Sequence, residues 1–128
     1  TSTDPWLRRE RLTLYLNRAA VAPGGDGFLV VRPRMVVPNS HALGAELRLV
    51  LDDGRTLTRW IRAGESWMSQ APASAHFGIG AAAIERLEID WPSSPGRPGG
   101  TSRIAAPPVN GVLEVTGPET LFAESFEP

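Results

Sequence analysis

Gly44-Ala45-Glu46-Leu47-Arg48-Leu49-Val50-Leu51-Asp52-Asp53-Gly54-Arg55-Thr56-Leu57-Thr58-Arg59-Trp60-Ile61-Arg62 is the stretch that decides the fold. Ala45, Leu47, Leu49 and Leu51 share one side of a period of two, and Glu46, Arg48 and Asp52 take the other. An extended strand with one buried face has that period; a helix would scatter the leucines around its circumference. Asp53-Gly54 then supplies a tight hairpin turn, because its backbone needs φ > 0 where glycine resists least. Thr56 to Arg62 runs back rich in β-branched and aromatic residues, and Gly64 closes it. The two segments are expected to pair as an antiparallel hairpin.

On the N-terminal side, Pro23 to Gly27 is a turn and Phe28 to Arg32 a strand halted by Pro33. Met35 to Val37 is apolar and Pro38-Asn39-Ser40 turns the chain. Further upstream, Leu12, Leu14 and Leu16 alternate with Arg11, Thr13 and Tyr15, which predicts a half-buried strand over 10–16. On the C-terminal side, Ser66 to Gly80 reads mainly as loop anchored by Phe77 and Ile79, and Ala81 to Arg86 as one helical turn at most. Leu87, Ile89 and Trp91 alternate with Arg86, Glu88 and Asp90 in another strand, ended by Pro92. Residues 93–103 read as a Pro/Gly/Ser loop, Val112 to Thr116 as the last strand and 118–128 as an acidic tail. Six to eight short strands without a useful amphipathic helix predict an all-β fold, a two-sheet antiparallel β-sandwich of Ig-like type. Parity assigns Leu47, Leu49, Leu87, Ile89, Trp91, Leu113 and Val115 to its core.

Composition narrows the chemistry. With 128 residues the chain is one domain, large enough for an ordinary core. Its 13 Lys+Arg are all arginine, so lysine Schiff bases and Lys–Asn cross-links are excluded. No cysteine is present, which excludes disulfides, thiolate metal sites and a cysteine nucleophile. A formal net charge of −1 gives no long-range field for nucleic acid or anionic lipid. No apolar run is long enough to insert in a membrane, and no signal peptide stands at Thr1. Since the chain does not start with Met, it is expected to be a processed product or a piece, with any export signal upstream.

Several motifs now fall in order. Gly44-Ala45 opens a strand, and Gly64-Glu65-Ser66-Trp67-Met68-Ser69-Gln70 follows the hairpin. Next come His76-Phe77-Gly78-Ile79-Gly80 and Leu87-Glu88-Ile89-Asp90-Trp91-Pro92. This order resembles the ASPIC/UnbV domain, whose pattern runs Gly-Ala, a strand, Gly-Gly-Ser-aromatic-x-Ser-Gln, His-Phe-Gly-Leu-Gly and a strand ending Trp-Pro-Ser-Gly. Phe28 to Ala45 resembles its opening segment, with Phe28 where Trp is usual, and Val109-Asn110 resembles its close. Pro38-Asn39-Ser40-His41 departs from a more usual Ser-Asn-Arg-Asp, Glu65 stands where glycine is common, and Ser93-Ser94-Pro95-Gly96 carries an insertion. The resemblance implies a transthyretin-like sandwich over 28–117, preceded by residues 1–27 as an extension, the end of a repeat, or one extra strand. It also implies an extracytoplasmic protein (secreted, periplasmic or surface) in which FG-GAP-type propeller repeats accompany the domain, and it carries no catalytic residue or cofactor. The motif residues Gly44, Gly64, Ser69, Gln70, His76, Phe77, Gly78, Gly80, Trp91 and Pro92 are expected to be structural. Glycine at 64, 78 and 80 would serve special backbone conformations, Ser69 and Gln70 would satisfy loop peptides, and His76 would hydrogen-bond locally.

The chemistry-bearing residues stand as follows. His41 and His76 are the only histidines, and Ser66, Ser69 and Ser74 lie near the second, but no G-x-S-x-G elbow exists, so a Ser/His hydrolase is the third choice. Glu88 and Asp90 share a strand face, and Asp52 and Asp53 a hairpin tip; solvated faces and turns explain both. No D-x-D-x-D-G loop offers a metal cage, so neither metal nor cofactor is expected. Arg8, Arg9 and Arg11 beside Trp6 read as a solvated terminus rather than a nucleic-acid patch. Trp60, flanked by Arg59 and Arg62, and Trp67 in the motif loop are the binding candidates, unless both pack internally. First choice is therefore a non-catalytic accessory domain that packs on a propeller or other protein domain. Second is a carbohydrate-binding module using exposed Trp and Arg. Coplanar exposed tryptophans would favour the glycan and a broad apolar patch the protein.

Overall fold

A computed structural model of the chain describes residues 12–16, 18, 26–36, 38–65, 67–93, 96 and 98–118. The elements are β1 (Gly27–Arg34), β2 (Glu46–Leu51), β3 (Thr56–Trp60), β4 (Ala75–Gly80), β5 (Ile84–Trp91), β6 (Gly100–Ala105) and β7 (Gly111–Thr116). They form a three-stranded sheet, β4-β1-β7, and a four-stranded sheet, β3-β2-β5-β6. The all-β, two-sheet sandwich is what the alternating leucines required. The hairpin is present with Glu46 opposite Trp60 and Val50 opposite Thr56. Its turn is closed by hydrogen bonds between Leu51 and Arg55 and from the Gly54 amide to Leu51, and Gly54 has φ +88°.

Leu29, Val31, Leu47, Leu49, Leu51, Phe77, Leu87 and Ile89 are fully buried between the sheets, with Trp91, Ile61 and Met35 at one end. Leu113 and Val115 are only half-buried against this core, as is Ile104. They lie on β7 and β6, which are edges of their sheets.

Five expectations need correction. First, the sandwich is not wholly antiparallel: β1 and β7 pair in parallel, Leu29 with Gly111 through Arg34 with Thr116. Second, β1 is not halted at Pro33. Phe28 and Arg34 turn their carbonyls to β7, so Pro33 turns its donor-less nitrogen to the β4 side. There the β4 ladder has already ended at Val31–Ala75, and no hydrogen bond is lost. Third, residues 75–80 are a strand, not a loop, and Ile84 begins β5 in place of a helical turn. Fourth, β6 occupies Gly100–Ala105, overlapping the second half of the expected 93–103 loop; as an edge strand it offers only Ile104 as a large apolar residue. Fifth, Leu12 to Leu16 is not in a strand, and Leu12, Leu14 and Leu16 are 95, 80 and 71 % exposed. The basic cluster at Arg8, Arg9 and Arg11, Trp6, Ser66 and the tail from 119 lie outside the described residues.

The motif glycines also divide. Gly64 and Gly80 have φ of +68° and +62°, as expected. Gly78 does not: it is an ordinary ladder residue, and a Cβ there would meet nothing within 4 Å. Gly78→Ala is therefore expected to be neutral or to stabilise by up to about 1 kcal/mol, since it only stiffens an extended chain. Gly80→Ala is expected to cost about 1 kcal/mol by forcing a Cβ into the left-handed region. Urea midpoints of both variants check the contrast, and equal losses would contradict it.

Candidate functional site

The register places several motifs at one end of the sandwich. Glu46 pairs with both Trp60 and Asp90, and Arg34 pairs with Thr116. The 35–45 and 61–74 connections therefore emerge side by side, with Trp91-Pro92 next to them. Asn39 ties the first connection: its Oδ1 accepts from the Leu43 amide at 3.0 Å and its Nδ2 donates to the Leu43 carbonyl at 2.8 Å. Gly44 (φ +95°) donates to the Ile61 carbonyl at 2.7 Å, and a Cβ on it would lie 3.5 Å from Pro92. Two motifs far apart in sequence, Gly44-Ala45 and Trp91-Pro92, thus meet in space.

Gln70 ties the second connection. Its Oε1 accepts from the Gly64 amide, and its Nε2 donates to the carbonyls of Arg62 and Ala71, each at 3.0 Å. The backbone between Gly64 and Gln70 is thereby drawn into a closed loop, which is the expected role of Gln70. At its tip Trp67 and Met68 are 87 and 83 % exposed, so Trp67 does not plug the sandwich end. Met68 has φ +53°, a conformation costing a residue with a Cβ on the order of 1 kcal/mol. Trp60 is 48 % exposed, with the Arg62 guanidinium over its ring at 5.2 Å. Arg59 instead lies over Phe77 at 5.5 Å. A groove of about 520 Å³ runs between the two connections, lined by His41, Leu43, Ala63, Gln70 and Ala71–Ala73.

The structure brings no serine hydroxyl within hydrogen-bonding distance of His76 among the described residues. The His76 ring is exposed and stacks on Phe28, centroids 6.0 Å apart at 11°. That corrects the expectation of a hydrogen-bonding histidine. His41 does contact a serine, Ser40 Oγ at 3.3 Å from Nδ1, but the two are sequence neighbours on an exposed turn. No group of three or more His, Cys, Asp or Glu arranged to hold a metal occurs among the described residues.

The carboxylates of β5 belong to a charge lattice on the outer face of the four-stranded sheet. Arg48 donates to Asp90 at 2.6 Å, Glu46 at 3.1 Å and Glu88 at 3.3 Å. Arg86 donates to Glu88 at 2.9 Å, and the Thr101 hydroxyl to Asp90 at 2.7 Å. Hydrogen bonds from Arg86 and then Arg48 hold the Glu88 carboxyl below its usual range, and Arg48 and then Thr101 do the same for Asp90. Groups so held remain anions and make poor general acids. A carboxyl whose folded pKa lies below the unfolded value adds stability above that value, about pH 4, and loses it as pH falls through the folded pKa. Stability is therefore expected to fall below about pH 4.5, and less steeply in Arg48→Met. Urea midpoints between pH 7 and pH 2.5 measure this, and equal acid limbs in both proteins would contradict it.

Sequence reasoning found Trp60, Trp67, Arg62 and Gln70 but missed the Asn39 clamp and the exposed, strained Met68. Asn39 followed a proline and read as turn filler; its spacing of four to Leu43 was the only signal. Ser69 makes no side-chain hydrogen bond in the described structure that would give it the loop role expected of it. A comparison with curated proteins finds no match. The family model described as ASPIC and UnbV matches residues 36–121, from just after β1 through β7, about two thirds of the chain. With the hairpin, the Gln70-tied loop and the Trp91-Pro92 strand all inside that match, the chain belongs to the ASPIC and UnbV family.

Proposed function

We propose that the domain is a non-catalytic interaction module that docks a partner protein domain through the sandwich end bearing Trp67 and Met68. The partner expected from the family resemblance is a propeller-type repeat domain of an extracytoplasmic protein. One observation carries the reading: the two most exposed large apolar side chains of the 61–74 connection stand on a loop that Gln70 holds closed. A pre-shaped loop loses little conformational freedom on binding. Tryptophan is a frequent interface anchor, and methionine adapts to irregular partner surfaces. The adjoining groove gives a partner side chain somewhere to enter. A glycan platform built on both exposed tryptophans fits less well, because Arg62 occupies one face of Trp60.

Hydroxyl-radical footprinting tests this on the domain alone and on the protein as its gene encodes it. Trp67 and Met68 are expected to oxidise several-fold more slowly in the latter, because oxidation follows exposure. Trp67→Ala is expected to change stability by no more than about 0.5 kcal/mol while abolishing the protection of Met68. Unprotected Trp67 and Met68 in the gene product, with Trp60 protected by added oligosaccharide, would favour the carbohydrate-binding alternative and overturn protein docking.

A further inference from the structure

The two sheets are unequal, three strands against four, and the shortfall falls on one side. Between β6 and β7 lies a groove of about 410 Å³ lined by Thr101–Ile104 and Leu113–Thr116. Its floor includes Ile104, Leu113 and Val115, which pack on the core yet remain half-exposed. Among the described residues the ladder leaves the β7 edge open. Leu29 to Arg34 pair with Gly111 to Thr116, and the Gly117 amide donates to Arg34, so residues 113, 115 and 117 point their peptides at β1. The amides and carbonyls of Val112, Glu114 and Thr116 therefore point outward along a free edge.

The same chain carries a segment that matches this gap. Leu12, Leu14 and Leu16 lie on one face of a period-two pattern, with Thr13 and Tyr15 on the other, and all five residues are exposed. A strand alternating in this way needs an apolar face on one side and a sheet edge beside it. The connection from residue 17 to Asp26, roughly ten residues, spans up to about 33 Å. Two strand spacings, about 10 Å, separate β1 from a position beyond β7. An antiparallel strand there ends beside Gly27, where β1 begins, so the connection has ample reach. It would equalise the sheets at four strands each and set its leucines over Ile104, Leu113 and Val115. Tyr15 would lie on the outer face near Val112, itself 56 % exposed.

We infer that residues 12–16 dock on the free edge of β7 as an eighth strand, antiparallel to it, and close the groove between β6 and β7. The inference is independent of the Trp67 surface and survives its failure.

Amide hydrogen exchange on the full chain, compared with the Leu12→Ser/Leu14→Ser/Leu16→Ser variant, tests it. Docking gives the outward amides of Val112, Glu114 and Thr116 at least about tenfold slower exchange in the wild type than in the variant. Amides of β2 and β5 exchange alike in both, which shows that the fold persists. Equal exchange of the three outward amides in the two proteins overturns the inference. So does protection that vanishes on dilution, because the strand would then come from a second copy. A second variant, Thr13→Ser, alters only the outer face and should retain the protection; its loss there would also count against the assigned register.

Discussion

Phe77→Ala is expected to lower the free energy of unfolding by about 3–5 kcal/mol. The ring is fully buried on β4, facing inward with Ala75 and Ile79, and its backbone is paired opposite Leu29 of β1. Removing it loses the transfer free energy of a phenyl group and opens a cavity lined by strands whose ladders cannot collapse inward. Arg59 from the opposite sheet lies over the ring, so the truncation also removes that cation–π contact, while the exposed guanidinium stays solvated. A domain of this size has a total stability of about 5–15 kcal/mol, so the loss is a large share of it. The neighbouring His76→Ala removes only an exposed ring stacked on Phe28 and is expected to cost less than about 1 kcal/mol. Urea unfolding at pH 7 measures both. Similar losses at 76 and 77 would contradict the alternation of β4, and a Phe77 loss under about 1.5 kcal/mol would mean that the core is loosely packed there.

That alternation shows where the sequence was legible. β2 and β5 carry period-two patterns of large residues against charges, and a buried face against water leaves no other register; β3 was legible from the Asp53-Gly54 turn and its β-branched and aromatic content instead. β4 carries the same pattern in Ala75, Phe77 and Ile79, but its outward positions hold His76 and Gly78, and its flanks are dense in Ser, Ala and Pro. Local composition there spoke for a loop, and pairing with β1 overrode it. β6 fails for a different reason: only Ile104 is large and inward, because the edge it forms is incompletely covered. The 12–16 segment fails in the opposite sense, with a strand's pattern but no partner in the described structure. Propensity reports what a residue suits, whereas a strand exists only where another edge receives it.

The candidate site was legible in kind more than in place. Trp60 and Trp67 stood out as aromatics without an obvious core face, and both are exposed. The features that make their loop a defined surface are contacts distant in sequence: Gln70 to Arg62, Gly44 to Ile61 and Gly44 against Pro92. Amide clamps such as Asn39 and Gln70 have no periodicity to reveal them. Each satisfies backbone groups that no ladder reaches, and that need becomes visible only when the backbone is traced.

Trp91 is expected to show strong coupling with Gly117. Trp91 closes β5, is 4 % exposed, and its indole nitrogen donates to Ser102 Oγ at 2.7 Å, which fixes the ring in its plane. Gly117 follows β7 in the other sheet, where its amide donates to the Arg34 carbonyl at 3.0 Å. A Cβ on Gly117 would stand 2.7 Å from two carbons of the indole and 3.0 Å from its nitrogen. Glycine is required there by contact rather than by φ, since the backbone of one sheet rests directly on a side chain of the other. Gly117→Ala is therefore expected to cost about 1–3 kcal/mol, because the ring cannot turn aside without losing Ser102. Trp91→Ala alone is expected to cost about 3–5 kcal/mol by emptying that end of the core. In the double variant the new methyl meets no ring and partly fills the space, so the combined loss should fall short of the sum by about 1–3 kcal/mol. A double-mutant cycle in urea provides the measurement. Additive losses within about 0.5 kcal/mol would show that Gly117 does not touch Trp91 in solution, and that the two sheets are not joined by this contact.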